Sequence, residues 1–181
     1  MMWKQSSRTN TKKSKAPREL GTSQEAFDCA LNLLSYRDHS ESQLRTKLKQ
    51  RGAQEEVAEE SLAKLKDYGL VNEERFGQRL LEAWLEKGSY GRLHLQATLA
   101  KAGLKKELIQ ELLEQATADQ ERVHAQVASG LFLKRYSRKL KALQEDKRKL
   151  YATAARFMAG RGFTGSSTQI LLEKLHFEDL F

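Results

Sequence analysis

Almost nothing in the chain interrupts a helix. Its 181 residues contain one proline, Pro17. Proline breaks helix interiors and punctuates loops, so its scarcity favours continuous helical segments. There is one cysteine, Cys29, which excludes an internal disulfide framework and any cysteine metal site. Within a helical pattern Cys29 reads as a small buried hydrophobe. No stretch alternates apolar and polar residues in the manner of a strand, and periods of about 3.6 dominate. No run approaches the roughly 18 apolar residues of a membrane span. The start of the chain also has no apolar run of signal-peptide length. A soluble, cytoplasmic protein with no membrane contact is the expectation.

Recognisable chemistry is missing too. Gly160-Arg161-Gly162-Phe163-Thr164-Gly165 fits G-x-G-x-x-G literally, but that fingerprint needs a preceding strand and a βαβ unit. Here a helical pattern precedes it. No G-x-x-x-x-G-K-[ST] loop is present. The histidines His39, His94, His124 and His176 have no partner at metal-ligand spacing. Glu55, Glu56, Glu59 and Glu60 form the acidic face expected of a solvated helix. No serine or cysteine sits in a nucleophile elbow. The chain is therefore read as a non-enzyme that needs no cofactor, metal or small-molecule substrate.

What the chain does have is internal repetition. Leu44 to Leu65 reads as a short basic helix, a glycine stop and an acidic amphipathic helix. The same order returns at Leu95 to Ala116 and, more loosely, at Ala154 to Leu175. Aligned on Gly52, Gly103 and Gly162, apolar residues recur four positions earlier (Leu48, Leu99, Met158) and eight earlier (Leu44, Leu95, Ala154). They also recur one position later (Ala53, Leu104, Phe163) and ten later (Leu62, Leu113, Leu172). Self-similarity at roughly 50 residues marks a repeat architecture. Each unit is too small to bury its own apolar faces, so neighbours must stack. The spacing predicts an all-α fold, an elongated, curved array of three tandem three-helix repeats. Expected boundaries are a flexible basic arm at 1–21 and repeats at 22–70, 71–117 and 118–181, the last with a basic expansion. Thr22 with Glu25, Ser40 with Gln43 and Ser166 with Gln169 have capping-box spacing at predicted helix starts. Phe27, Ala30, Leu31 and Leu34 make the predicted stripe of the first helix, and Phe76, Leu80, Leu81, Trp84 and Leu85 that of the fourth. The first helix of the third repeat carries Val123, Val127, Leu131 and Leu133 as its apolar positions.

Charge is unevenly spread. The net formal charge is +8, concentrated in the N-terminal arm and in residues 130–161. Such patches favour a polyanion or an acidic protein surface. The arm is either an inert solubilising tail or one that attracts nucleic acid. The long basic run carries Arg135, Arg138, Lys139, Arg148 and Lys149, with Tyr136 and Tyr151 interleaved and a kink or break expected in its middle. It is the leading candidate for partner contact. Arg45, Lys47 and Arg51 on the second helix are secondary candidates. Contact with phosphates would give affinity without sequence information, and a merely solvated helix face is the alternative. The acidic helix after Gly52 argues against reading Leu44–Leu65 as a helix-turn-helix, because it would be repelled from a major groove.

The sequence resembles the RecX family of RecA regulators over about residues 24–175. The resemblance rests on Ala30-Leu31-Asn32-Leu33-Leu34-Ser35-Tyr36-Arg37-Asp38-His39-Ser40, Leu44, Lys47-Leu48 and Arg51-Gly52. It continues through Leu65, Gly69-Leu70-Val71-Asn72 and Glu74-Arg75-Phe76. In the second repeat it rests on Lys87-Gly88, Gly91, Leu95, Leu99 and Lys101-Ala102-Gly103, and in the third on Arg161-Gly162-Phe163. Arg92 departs from the family, which usually has proline there. The resemblance implies a protein of three-helix repeats that binds RecA and the RecA–DNA filament, typically in the filament groove. It also implies modulation, usually inhibition, of RecA ATPase and strand exchange, in recombination and DNA repair. A helical protein that binds DNA phosphates without RecA is the competing expectation.

Overall fold

The structure, a computed structural model, describes residues 20–177. Most of the predicted basic arm, residues 1–19, lies outside the described residues. Ten α-helices follow in order: α1 (Ser23–Tyr36), α2 (Glu41–Gln50), α3 (Glu55–Asp67), α4 (Glu73–Lys87), α5 (Arg92–Lys101), α6 (Lys106–Gln115), α7 (Ala118–Tyr136), α8 (Leu140–Gln144), α9 (Lys147–Ala159) and α10 (Gly165–Phe177). A 3-10 turn at Ser137–Lys139 joins α7 to α8. No strand occurs among the described residues.

Three separate apolar cores divide the array. The first runs from Leu20 to Val71 and is centred on Ala30, Leu44, Leu48, Ala58, Leu62 and Leu65. The second is built on Trp84, Leu95, Leu99 and Leu112, and the third on Phe132, Ala154, Met158, Leu171 and Leu175. The third repeat therefore has four α-helices. The expected break in the basic run is real, and α8 is the extra piece that the longer glycine spacing inserts.

The glycine stops are the same structure three times. Gly52, Gly103 and Gly162 have φ of 88°, 77° and 78°, the left-handed region glycine enters without a Cβ penalty. At each, the glycine N–H donates to the carbonyl three residues back (Lys49, Ala100, Ala159). The next N–H donates to the carbonyl five residues back (Leu48, Leu99, Met158). This is the Schellman closure of a helix C-terminus, with its apolar contact between Leu48 and Ala53, Leu99 and Leu104, or Met158 and Phe163. All six of those side chains are buried, as the alignment predicts. Ten residues past the glycine the register differs. Leu62 is buried in the first repeat, but Leu112 and Leu171, one position earlier than predicted, are the fully buried residues of the other two.

The repeats join head to tail through one recurring contact. The start of the second helix of each repeat receives the glycine stop of the next. At the first joint, the Ser40 hydroxyl donates to the Ala102 carbonyl. Gly103 lies so close that a Cβ there would be 2.5 Å from Ser42 Cβ. At the second joint, the N–H groups of Gly91 and Leu93 donate to the carbonyls of Arg161 (2.9 Å) and Gly162 (3.2 Å). A Cβ on Gly162 would stand 2.3 Å from the His94 nitrogen. Orphan N–H groups at a helix start thus meet orphan carbonyls at a helix end. The literal G-x-G-x-x-G is part of this joint.

Several predicted faces are corrected. On α7, Val123, Val127 and Leu131 are 56%, 46% and 40% exposed, while Ala125, Ala128, Ser129 and Phe132 are buried. Small residues let α7 lie close against α10 and α9, and that closeness outranks the larger valines. On α1, Ala26 and Ala30 are the buried residues and Phe27, Leu31 and Leu34 pack around their edge. Leu85 on α4 is exposed. The complete reciprocal capping box among the described residues is Thr117 with Gln120. Thr22 and Ser40 do cap their helices, but Glu25 turns to Gly21 N–H and Gln43 to His39. The last helix starts one residue before Ser166.

Candidate partner-binding site

Ion pairing separates the basic residues into two populations. Among the described residues every ion pair lies in the first repeat or on its border with α4. Arg45 meets Glu41 and Glu59, Lys49 meets Glu55, Lys64 meets Glu60, Lys66 meets Glu41, and Arg79 meets Asp38. Arg51 donates to the Cys29 sulfur at 2.8 Å. The hydrogen bond from Arg45 pulls the Glu59 carboxyl below its usual range, and Glu59 in turn raises the Arg45 guanidinium. Of the secondary candidates, Arg45 and Arg51 therefore already have partners. Lys47, half-buried on α2, enters no ion pair with a described residue.

The leading candidates have no such partners. Arg135 lies in the last turn of α7, Arg138 and Lys139 occupy the 3-10 turn, and Arg148 and Lys149 lie in the first turn of α9. All five are exposed, and none enters an ion pair with a described residue. Their density near helix ends follows from two interruptions, the 3-10 turn at Ser137–Lys139 and the break at Glu145–Asp146. Asp146 caps α9 by accepting from the Lys149 N–H at 3.0 Å.

Beside this segment, at the edge of the second joint, lies an open recess of about 420 Å³ lined by Tyr90, Arg135, Tyr136, Thr153, Arg156, Phe157, Gly160 and Arg161. Three of these are arginines and none is acidic. Arg161 is held in place. Its guanidinium lies 5.3 Å from the Tyr90 ring centre and 4.7 Å from that of Phe157, and it donates to the Ser89 carbonyl at 3.4 Å. Cation–π contact of this kind orients a guanidinium without neutralising it. Tyr90 stacks on His94 at 4.2 Å. Phe132, Tyr136 and Phe157 pack as a ring cluster, Phe132 and Phe157 edge-on at 5.3 Å. Burial, with Lys87 and Arg161 nearby, pushes the His94 imidazole below its usual pKa.

The recess brings Arg135 together with two arginines that sequence reasoning did not offer as contact candidates, Arg156 and Arg161. Arg138, Lys139, Arg148 and Lys149 are not among its lining residues. Arg156 looks like any charge on an amphipathic helix, and Arg161 hides inside a glycine stop. The packing of α7 on α9 makes them neighbours, and the joint adds Tyr90. No group of three or more histidine, cysteine, aspartate or glutamate residues that could hold a metal occurs among the described residues. No described helix is long and apolar enough to cross a membrane.

Comparison with known proteins bears on the whole array. Residues 26–65 match the family model "RecX, first three-helix domain". Over 155 residues the chain is 31% identical to the regulatory protein RecX of Trichlorobacter lovleyi, covering 84% of this chain and 98% of that one. The regulatory protein RecX of Stenotrophomonas maltophilia strain R551-3 is 32% identical over 157 residues, covering 87% and 88%. The crystal structure of RecX from Lactobacillus salivarius superposes with a TM-score of 0.67 at 18% identity, covering 86% of this chain and 97% of that one. That last likeness is one of fold.

Proposed function

The chain belongs to the RecX family of regulatory proteins, and from that premise we propose that it binds the RecA recombinase and its filament on DNA. Bound there, it inhibits RecA ATPase, filament extension and strand exchange, acting in the cytoplasm as a regulator and not as a catalyst. The observation that carries the reading is the split between paired cations in the first repeat and unpaired cations in the third. A long array with one bare basic end suits a repeating, partly acidic filament. Several weak contacts on successive protomers add through effective concentration.

The test is a titration of the purified protein into RecA assembled on single-stranded DNA. ATP hydrolysis should fall at substoichiometric ratios. Unchanged hydrolysis, filament length and strand exchange would overturn the proposal. The same unpaired cations favour a second reading, binding to bare DNA through phosphates. That reading requires tight, steeply salt-dependent mobility shifts with DNA alone, whereas RecA-directed action goes with weak bare-DNA binding.

A further inference from the structure

We infer that the recess at the second joint is a receptor for a glutamate-rich peptide segment, with Arg135 and Arg156 gripping its carboxylates and Arg161 fixed behind them. This deepens the function proposed above and rests on it only for the identity of the protein that supplies the segment. The charge argument comes first. Three guanidiniums and no carboxylate line a recess of about 420 Å³, so an anionic occupant is required for complementarity. Arg135 and Arg156 are exposed and have no ion pair with a described residue. A planar guanidinium takes a carboxylate in a two-pronged grip that a lysine cannot reproduce.

The rings decide between a peptide and a nucleic acid. Single strands are held by stacking bases on aromatic faces as well as by phosphate contact. Here the faces are in use. Tyr90 is stacked on His94 and approached by Arg161. Phe157 is approached by the same guanidinium and packs against Phe132. Tyr136 is approached by Arg135 and tilts against Phe132. A base therefore finds no open ring face to stack on, whereas the guanidiniums of Arg135 and Arg156 suit a glutamate carboxylate. The recess is also compact, drawing on the α4–α5 turn, the end of α7 and one face of α9, and is not an extended track for a phosphate backbone.

The experiment uses the full chain and two fluorescein-labelled probes, a hexaglutamate peptide and a hexathymidylate oligonucleotide, read by fluorescence anisotropy. Arg135→Gln with Arg156→Gln should weaken peptide binding about tenfold, the effect of losing two charge-assisted contacts. Lys101→Gln with Lys106→Gln removes the same charge from exposed positions on α5 and α6 and should leave binding unchanged. Circular dichroism confirms equal helicity. Equal loss in both variants would reduce the effect to general charge and overturn the inference. So would absence of peptide binding, or oligonucleotide binding that is tighter and falls with the Arg135 and Arg156 changes. Because RecA is absent, peptide binding and the ATPase titration can succeed or fail independently.

Discussion

Ser40 caps α2 and, with the same hydroxyl, grips the carbonyl of Ala102 in the next repeat. Its oxygen accepts from the Gln43 N–H at 3.2 Å, and its proton goes to the carbonyl 62 residues away. One small buried side chain thus satisfies a helix start and a helix end in different repeats.

Ser40→Ala should therefore cost more than an ordinary cap. Thr22 caps α1 through Glu25 N–H alone, so Thr22→Ala should cost about 1 kcal/mol. Ser40→Ala also leaves a buried carbonyl without its donor and should cost about 2–3 kcal/mol. Urea unfolding of the two variants measures the difference, and equal losses would refute the joint's contribution.

The positive-φ glycines provide a graded test. Gly69 has φ of 66° and open space where a Cβ would go, so Gly69→Ala should cost only the conformational penalty, about 1 kcal/mol. Gly162→Ala adds a collision with the His94 backbone and should cost roughly 3 kcal/mol or more, as overpacking does. The thermal midpoint of Gly162→Ala should fall well below that of Gly69→Ala.

Acid should loosen both joints. Burial holds His39 below its usual pKa despite the hydrogen bond its Nδ1–H donates to the Gln43 amide oxygen, with Arg37 and Lys47 adding to the depression. Burial does the same to His94, helped by Lys87 and Arg161. When the folded pKa is lowered, the unfolded chain takes up protons first as pH falls through about 6.5. Stability is then intact above that pH and declines below it. Melting curves at pH 7.5 and 5.5 should show the loss, and His39→Gln with His94→Gln should flatten it.

Reversing charge in the basic run should separate partner contact from folding. Arg138→Glu with Lys139→Glu breaks no ion pair with a described residue, so helicity should hold while inhibition of RecA weakens severalfold, as for loss of peripheral charges at an interface. Arg45→Glu instead places a third carboxylate beside Glu41 and Glu59 and should act mainly on stability. If inhibition by the Arg138 and Lys139 variant is unchanged, the 3-10 turn plays no part in partner contact.

The repeat, its glycine stops and most helix starts were legible because each follows from local chemistry. A left-handed glycine or a capping hydroxyl announces itself within a few residues. Val123, Val127 and Leu131 misled because hydrophobicity was weighed without size. The buried face of α7 is made of Ala125, Ala128 and Ser129, which matter for the closeness they permit. The recess was beyond reach for a different reason. Tyr90 reaches Arg135 and Arg161 only because Gly91 docks on the stop at Gly162, and no local pattern encodes that meeting. Arg92 illustrates the point. Its N–H donates to Glu121 at 3.1 Å and its guanidinium to the Leu113 carbonyl at 2.8 Å. The departure from proline thus supplies a bond that proline, lacking an N–H, could not make.

The uneven distribution of ion pairs has a consequence for how the molecule responds to its medium. Added salt screens attraction and repulsion alike. In the first repeat it weakens the pairs of Arg45, Lys49, Lys64 and Lys66. In the third it relieves the crowding of like charges from Lys134 to Lys149. Ionic strength thus loosens one end of the array while it firms the other. A modest net change in melting temperature would conceal two opposed local responses, resolved only by following hydrogen exchange repeat by repeat.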